Sequence, residues 1–343
     1  VSNCDYKLPS VDSVLVYFNG TRGKVTEIEN NAISVIVPKV IESDTVEILD
    51  SVNVLVSVIG AYHFGRSSNF KAAQAVIDYA RLAEDEDPYG IACDKDENLY
   101  VSLAGKKVVK ISPDGSKEVY ATTSFDKASN MIMGPDGYIY YVNILNFVFR
   151  IVPDAGKDEL FVRLKKGVCD LDFAPSGNIL YCGGKDGVIY GINVNDKSFD
   201  TFAEYNANIK ALRVYNNYLY VAAVDDSGRQ YIYRNPILED DTLGESEVYF
   251  DWNSKIGNSS QIQSMTFSND GCLYVGTDVE GIIEIKPDKT FGTFYEGLIN
   301  PTCYTLRWGN GNYLYVTNKT SEKATVIRID MREKVGAPYY GRK

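Results

Sequence analysis

Asn98-Leu99-Tyr100-Val101 is the first of six apolar segments that share one shape and one spacing. The others are Tyr138-Ile139-Tyr140-Tyr141, Asn178-Ile179-Leu180-Tyr181, Tyr218-Leu219-Tyr220-Val221, Cys272-Leu273-Tyr274-Val275 and Tyr313-Leu314-Tyr315-Val316. Aligned on Tyr100, Tyr140, Leu180, Tyr220, Tyr274 and Tyr315, successive members lie 40, 40, 40, 54 and 41 residues apart. Each follows a turn signal such as Asp136-Gly137 or Asp270-Gly271. Before each turn stands another apolar run: Gly90-Ile91-Ala92-Cys93, Asn130-Met131-Ile132-Met133, Asp170-Leu171-Asp172-Phe173, Ala211-Leu212-Arg213-Val214, Ser264-Met265-Thr266-Phe267 and Thr305-Leu306-Arg307-Trp308. Third and fourth runs follow, as in Val108-Val109-Lys110-Ile111 and Glu118-Val119-Tyr120. Several short strands per unit, at a period near forty, specify a β-propeller, in which each blade buries its faces only against its neighbours.

The ring needs closing. Ala75-Val76-Ile77-Asp78-Tyr79-Ala80 stands just before the first inner strand, where the other units carry their outermost strand. The reading is that residues 75–80 supply the outer strand of the last blade, which removes a sheet edge and ties the first blade to the last. The expected fold is all-β, with a propeller over residues 65–343 preceded by a separate unit over residues 1–64.

Bulk properties exclude some functions. A net charge of −11 without clustered Lys and Arg argues against nucleic acid as a partner. No apolar run reaches the roughly 18 residues that cross a bilayer. The first residues show no basic segment followed by an apolar stretch, although a trimmed chain would look the same. The six cysteines, Cys4, Cys93, Cys169, Cys182, Cys272 and Cys303, contain no CxxC pair and no zinc-ligand spacing. They read as small buried hydrophobes. Pairing Phe173 with Asn178 across the intervening turn would set Cys169 opposite Cys182, a pair able to bridge in an oxidising compartment.

In the N-terminal unit, Val14-Leu15-Val16-Tyr17-Phe18 is a strand and Asn19-Gly20 a tight turn. Lys24 to Ile28, Ala32 to Val37, Val46 to Leu49 and Val52 to Ile59 complete a short sandwich pattern. Val14, Val16, Phe18, Gly20, Val35, Val37 and Pro38, with the closing segment Ala61-Tyr62-His63-Phe64, resemble the TIG (IPT) immunoglobulin-like domain. That family begins with a further strand, here missing, so the resemblance implies a sandwich edge open to another segment or subunit. The repeated pattern of Asp-Gly-Asn-Leu-Tyr-Val followed by Ile-x-Lys-Ile is similar to the NHL class of six-bladed propellers. No Trp-Asp dipeptide supports a WD40 array, and the single Gly183-Gly184 disfavours kelch. A TIG-like domain before an NHL-like propeller implies a bacterial surface protein.

The chemistry is sparse. His63, the only histidine, lies in the N-terminal unit, which excludes histidine-based catalysis in the propeller. The repeat alignment places Tyr89, Ser129 or Asn130, Cys169 or Asp170, Lys210, Gln263, and Tyr304 or Thr305 at the mouth of the central axis. We take Tyr89, Asn130, Asp170, Lys210, Gln263 and Tyr304 as the candidate ligand-binding set. A hard divalent cation takes about six to eight oxygens, several from carboxylates, which this ring does not offer. Tyrosine faces with amide and hydroxyl partners suit sugars. Asp170 and Asp172, two apart on one strand, point to the same side and are the one candidate carboxylate pair. Glu84-Asp85-Glu86-Asp87 reads as a solvated acidic linker, and the insertion Asp225 to Gly244 as an elongated hairpin.

The sequence therefore predicts a non-enzymatic, extracellular or surface-displayed binding scaffold. Its expected partner is a protein or glycan, with no cofactor and no catalytic or metal residues assigned. Self-assembly would use the sandwich edge and the tail Ala337-Pro338-Tyr339-Tyr340-Gly341-Arg342-Lys343, expected to dock on a neighbouring subunit or the N-terminal unit. The alternative is a hydrolase or lyase using Asp170 and Asp172.

Overall fold

A computed structural model describes residues 9–29, 32–38, 48–60, 64–320 and 323–338. Cys4, His63 and residues 339–343 of the tail lie outside the described residues. The chain divides into two compact units, Val1–Ile77 and Asp78–Lys343.

Among the described residues, six four-stranded antiparallel sheets make up nearly all of the second unit, which is a β-propeller. Their first strands are Pro88–Cys93, Asn130–Met133, Asp170–Phe173, Asn208–Tyr215, Ile262–Phe267 and Thr302–Trp308. Each first strand touches that of the next sheet, and the cycle returns from Thr302–Trp308 to Pro88–Cys93. In sheets one to five the chain runs outward through four consecutive strands. Sheet six takes Thr302–Trp308, Tyr313–Lys319 and Ala324–Asp330 in order, then Val76–Asp78 as its fourth strand. The amides of Tyr79 and Ala80 donate to Val326 O at 3.0 and 3.2 Å, and Asp78 accepts from Lys323 Nζ at 2.8 Å and from Thr325 Oγ1.

The repeated tyrosine has a physical cause. Tyr100, Tyr140, Tyr274 and Tyr315 bury their rings between sheets while their hydroxyls reach a carboxylate. Tyr100 donates to Asp94 at 3.0 Å, Tyr140 to Asp136 at 2.7 Å, Tyr274 to Glu284 at 2.8 Å and Tyr315 to Glu97 at 3.2 Å. A buried ring with a polar tip needs such a partner. The rings also meet aromatic side chains of the next sheet: Tyr140 on Phe173, Tyr220 on Phe267 and Tyr274 on Trp308, with centroids 5.5, 4.6 and 6.1 Å apart.

Several local expectations change. Phe173 pairs with Leu180, so Cys182 faces Leu171 rather than Cys169, and both thiols are free. The turn is wider than assumed because Ala174 N–H closes on Ile179 O at 2.8 Å. The insertion in sheet four carries an antiparallel bridge between Ile237 and Leu243 and is also bonded to sheet three: Tyr181 donates to Asp241 O at 2.6 Å, and Ser176 donates to the Asp241 carboxylate. The chain beyond sheet six turns back onto sheet five. Asn269 N–H donates to Val335 O at 2.9 Å, Ala337 N–H to Phe267 O at 3.0 Å, and Lys334 Nζ to Glu284 at 2.8 Å. Ala337, at the described start of the tail, is thus bound to sheet five.

In the first unit the described residues form one five-stranded antiparallel sheet, in the order Ala32–Ile36, Thr21–Glu29, Val14–Phe18, Ile48–Val58, Phe64–Ala73. Val14, Val16, Phe18, Val52 and Ala72 form its core. The expected break between Leu49 and Val52 is a register irregularity within a single strand. Phe64–Ala73 forms the edge strand of this sheet. Its polar sequence hid it, since such a strand buries little.

Asp78→Ala removes three hydrogen bonds from the closing strand, those from Lys323, Thr325 and the Arg81 amide. We expect it to lower the unfolding free energy by about 1 kcal/mol, measured by urea denaturation with the transition still cooperative.

Candidate functional site

The mouth of the propeller axis is set by a bulge repeated in every first strand. The ladder skips a residue between Pro88 and Ile91, Ile209 and Ala211, Ile262 and Ser264, and Cys303 and Thr305. In sheets two and three the same step appears as Ser129 N–H donating to Val142 O, which also opposes Asn130, and Cys169 N–H donating to Gly183 O, which also opposes Asp170. A bulge leaves its extra residue unpaired and turns it away from the ladder. The residues so displaced are Tyr89, Ser129, Cys169, Lys210, Gln263 and Tyr304, all partly or fully exposed.

The predicted ring is therefore split between two layers. Tyr89, Lys210, Gln263 and Tyr304 stand at the bulged outer layer, while Asn130 and Asp170 lie one step deeper with Gly90, Ala211, Ser264 and Thr305. Ser129 and Cys169 take the outer positions in sheets two and three. Ser129 Oγ donates to Cys169 O at 2.9 Å, and Cys169 Sγ to Ile209 O at 3.2 Å. Burial, then Asp170, push the Cys169 thiol up to about 12, which keeps it protonated and poorly nucleophilic.

At the outer layer Tyr89 donates to Asp87 at 2.5 Å, and Asp87 lies 3.7 Å from Lys319 Nζ. Burial and the Asp87 contact push Tyr89 up to about 12. Lys127 Nζ sits 3.6 Å above the Tyr89 ring, so one face of that ring already holds a cation. Tyr304 is near enough to Tyr89 to interact electrostatically and is 37% exposed.

Beneath this layer the axis is filled by a buried polar network. Asp170 and Asp172 are 2% and 4% exposed. Asp170 accepts from Leu171 N–H at 2.8 Å, Leu212 N–H at 2.7 Å and the Asn130 amide. Asp172 accepts from Phe173 N–H at 3.0 Å and Val214 N–H at 2.7 Å. Both carboxylates thus clamp sheet three to sheet four. Arg307 reaches from sheet six across sheet one to sheet two, donating to Ile91 O at 3.1 Å, Met131 O at 2.7 Å and Asn130 Oδ1 at 2.9 Å. Arg213 Nε donates to Met265 O at 2.8 Å, and its Nη1 lies 3.7 Å from Asp172.

Burial raises the Asp172 carboxyl above the ordinary range, opposed by Arg213, the Val214 amide and Arg307 and aided by Asp170. Among the described residues no group of three His, Cys, Asp or Glu is placed to hold a metal. Arg213 and Arg307 were not singled out from sequence, yet a signal existed. They occupy the third position of their first-strand run, as Asp172 does, and a charge inside an apolar run needs a buried partner.

No family model matches the chain, and no curated protein matches it. Solved structures do. A luciferin-regenerating enzyme aligns with a TM-score of 0.62 at 16% identity, covering 78% of this chain and 99% of that one. A gluconolactonase from Xanthomonas campestris aligns at 0.60 and 13% identity over 74% of this chain and 89% of its own. An auxiliary nutrient binding protein from Bacteroides thetaiotaomicron aligns at 0.60 and 10% identity over 94% of this chain and 92% of its own. At such identities the likeness establishes the β-propeller fold and not the chemistry.

Arg307→Met would remove the guanidinium donor from Ile91 O and Met131 O and one of two donors from Asn130 Oδ1. We expect a loss of about 3 kcal/mol or more, read by chemical denaturation. The raised Asp172 pKa means the folded state binds this proton more tightly than the unfolded chain. Its contribution to stability is complete below about 4 and is lost as pH rises through the folded-state pKa. Asp172→Asn should therefore flatten the fall in stability between acid and neutral pH relative to wild type.

Proposed function

We propose that the protein is a non-enzymatic binding scaffold displayed outside the cell or at its surface. Its six sheets act as the six blades of an NHL-type propeller closed by Val76–Asp78, and its N-terminal unit is a TIG-like spacer. The ligand site is the outer mouth layer of Tyr89, Lys210, Gln263 and Tyr304, with Ser129 and Cys169 completing the ring above Asn130 and Asp170. Its partner is a glycan or a protein.

The observation that carries this reading is the state of the two candidate catalytic carboxylates. Each oxygen of Asp170 and Asp172 already accepts a hydrogen bond from a backbone amide, and both side chains are buried. General acid–base work needs a carboxyl that reaches substrate. Further support comes from coverage: the neighbour named for nutrient binding aligns over 94% of this chain, more than the propeller unit alone supplies, whereas the gluconolactonase aligns over 74%. The second reading, a carboxylate-dependent hydrolase or lyase on the propeller face, draws its support from the fold shared with that gluconolactonase.

A glycan array with a parallel lactone-hydrolysis assay separates the two. Wild type should retain a sugar ligand without turnover. Tyr304→Ala should weaken retention about two- to twelvefold, as loss of about 0.5–1.5 kcal/mol of ring contact implies. Lactone turnover abolished by Asp172→Asn, or retention indifferent to Tyr304 and Lys210, would contradict the scaffold reading.

A further inference from the structure

Arg213 is the charged side chain, among the described residues, whose buried terminal atoms find no hydrogen-bond acceptor. It is 5% exposed, and its Nη1 and Nη2 atoms are sealed from solvent without an acceptor in reach. Its nearest counter-charge, Asp172 Oδ2, is 3.7 Å from Nη1 and already takes the Val214 amide. The neighbouring carboxylate and amide acceptors, Asp170 and Asn130, are committed. Asp170 holds two amides and Asn130, and Asn130 Oδ1 holds Arg307 and the Met131 amide. Arg307 itself is engaged with Ile91 O and Met131 O as well.

The axis therefore carries two guanidinium groups, and the two terminal nitrogens of Arg213 are without a hydrogen-bond partner. A buried charge needs hydrogen bonds and counter-charge together. Asp172 supplies only part of the counter-charge at its distance, and burial favours its neutral form. The matching third positions of sheets one, two and five, Ala92, Ile132 and Thr266, are buried as well.

We propose that the propeller axis holds a small inorganic anion of chloride size, bound by Nη1 and Nη2 of Arg213 in the layer beneath the mouth. The site lies outside the proposed ligand ring and stands whatever that ring binds. Its occupation ties sheet four to the centre of the molecule, so the anion acts as a structural component.

Crystals of the full chain grown with bromide in place of chloride test this by anomalous scattering. A bromide peak within hydrogen-bonding reach of both Arg213 Nη atoms is the expected result. An ordered water there, with no anomalous signal, overturns it. In solution, at fixed ionic strength, exchange of gluconate for chloride should raise the wild-type Tm along a saturating curve. Arg213→Met should show no such rise. A wild-type Tm indifferent to halide also overturns the proposal, and both wild-type measurements stand if the variant fails to fold.

Discussion

Charge buried on the axis is the constraint from which the rest of this structure follows. Six sheets converge on one line, and their first strands run beside one another without sharing a ladder. Their backbone groups must find partners elsewhere. Asp170, Asp172, Arg213, Arg307 and Asn130 provide them. The contacts keep the repeat offset: Asp170 reaches Leu212, and Asp172 reaches Val214, two residues further along each strand. Equal offsets at successive depths mean that neighbouring first strands run the same way and in fixed register. Arg307 extends the tie over three sheets.

That arrangement divides the axis into two zones with different roles. The deeper zone is committed to the fold, because each acidic oxygen and the Arg307 guanidinium is already bonded within it. The bulged zone above it is where side chains remain available. Lys127 covers one face of Tyr89, which leaves Tyr304 as the more open aromatic surface. The residues free to meet a ligand are polar and aromatic instead of acidic, and this is the physical basis for reading the mouth as a binding surface. A propeller fold alone would not decide it, since the structural neighbours include proteins named as enzymes and as binders.

Much of the architecture was legible because it repeats. The tyrosine spacing located the second strands, and for Tyr100 and Tyr140 an acid just before the strand, Asp94 or Asp136, accepts from the hydroxyl. Val76–Asp78 was readable by its place in the cycle, although its few residues carry no helix or strand signature of their own. Bulges were not readable. The repeat alignment left Ser129 or Asn130 and Cys169 or Asp170 open, and the ladder is what groups Ser129 and Cys169 with Tyr89, Lys210, Gln263 and Tyr304, since a bulge moves a side chain without changing composition. The edge strand Phe64–Ala73 was missed because exposure allows a polar sequence. Arg213 and Arg307 shared a position in the repeat with Asp172, and charge at that position was the available clue to the network.

The central claim is that the axis network is the most firmly held part of the molecule. Native-state hydrogen exchange tests it most directly, by following the amides of Leu212 and Val214, which donate to Asp170 and Asp172. The account predicts that both exchange only through global unfolding, with the same free energy and denaturant dependence as whole-protein denaturation. Exchange of either amide at the rate of the outer strands, such as Lys117–Thr122, would contradict it.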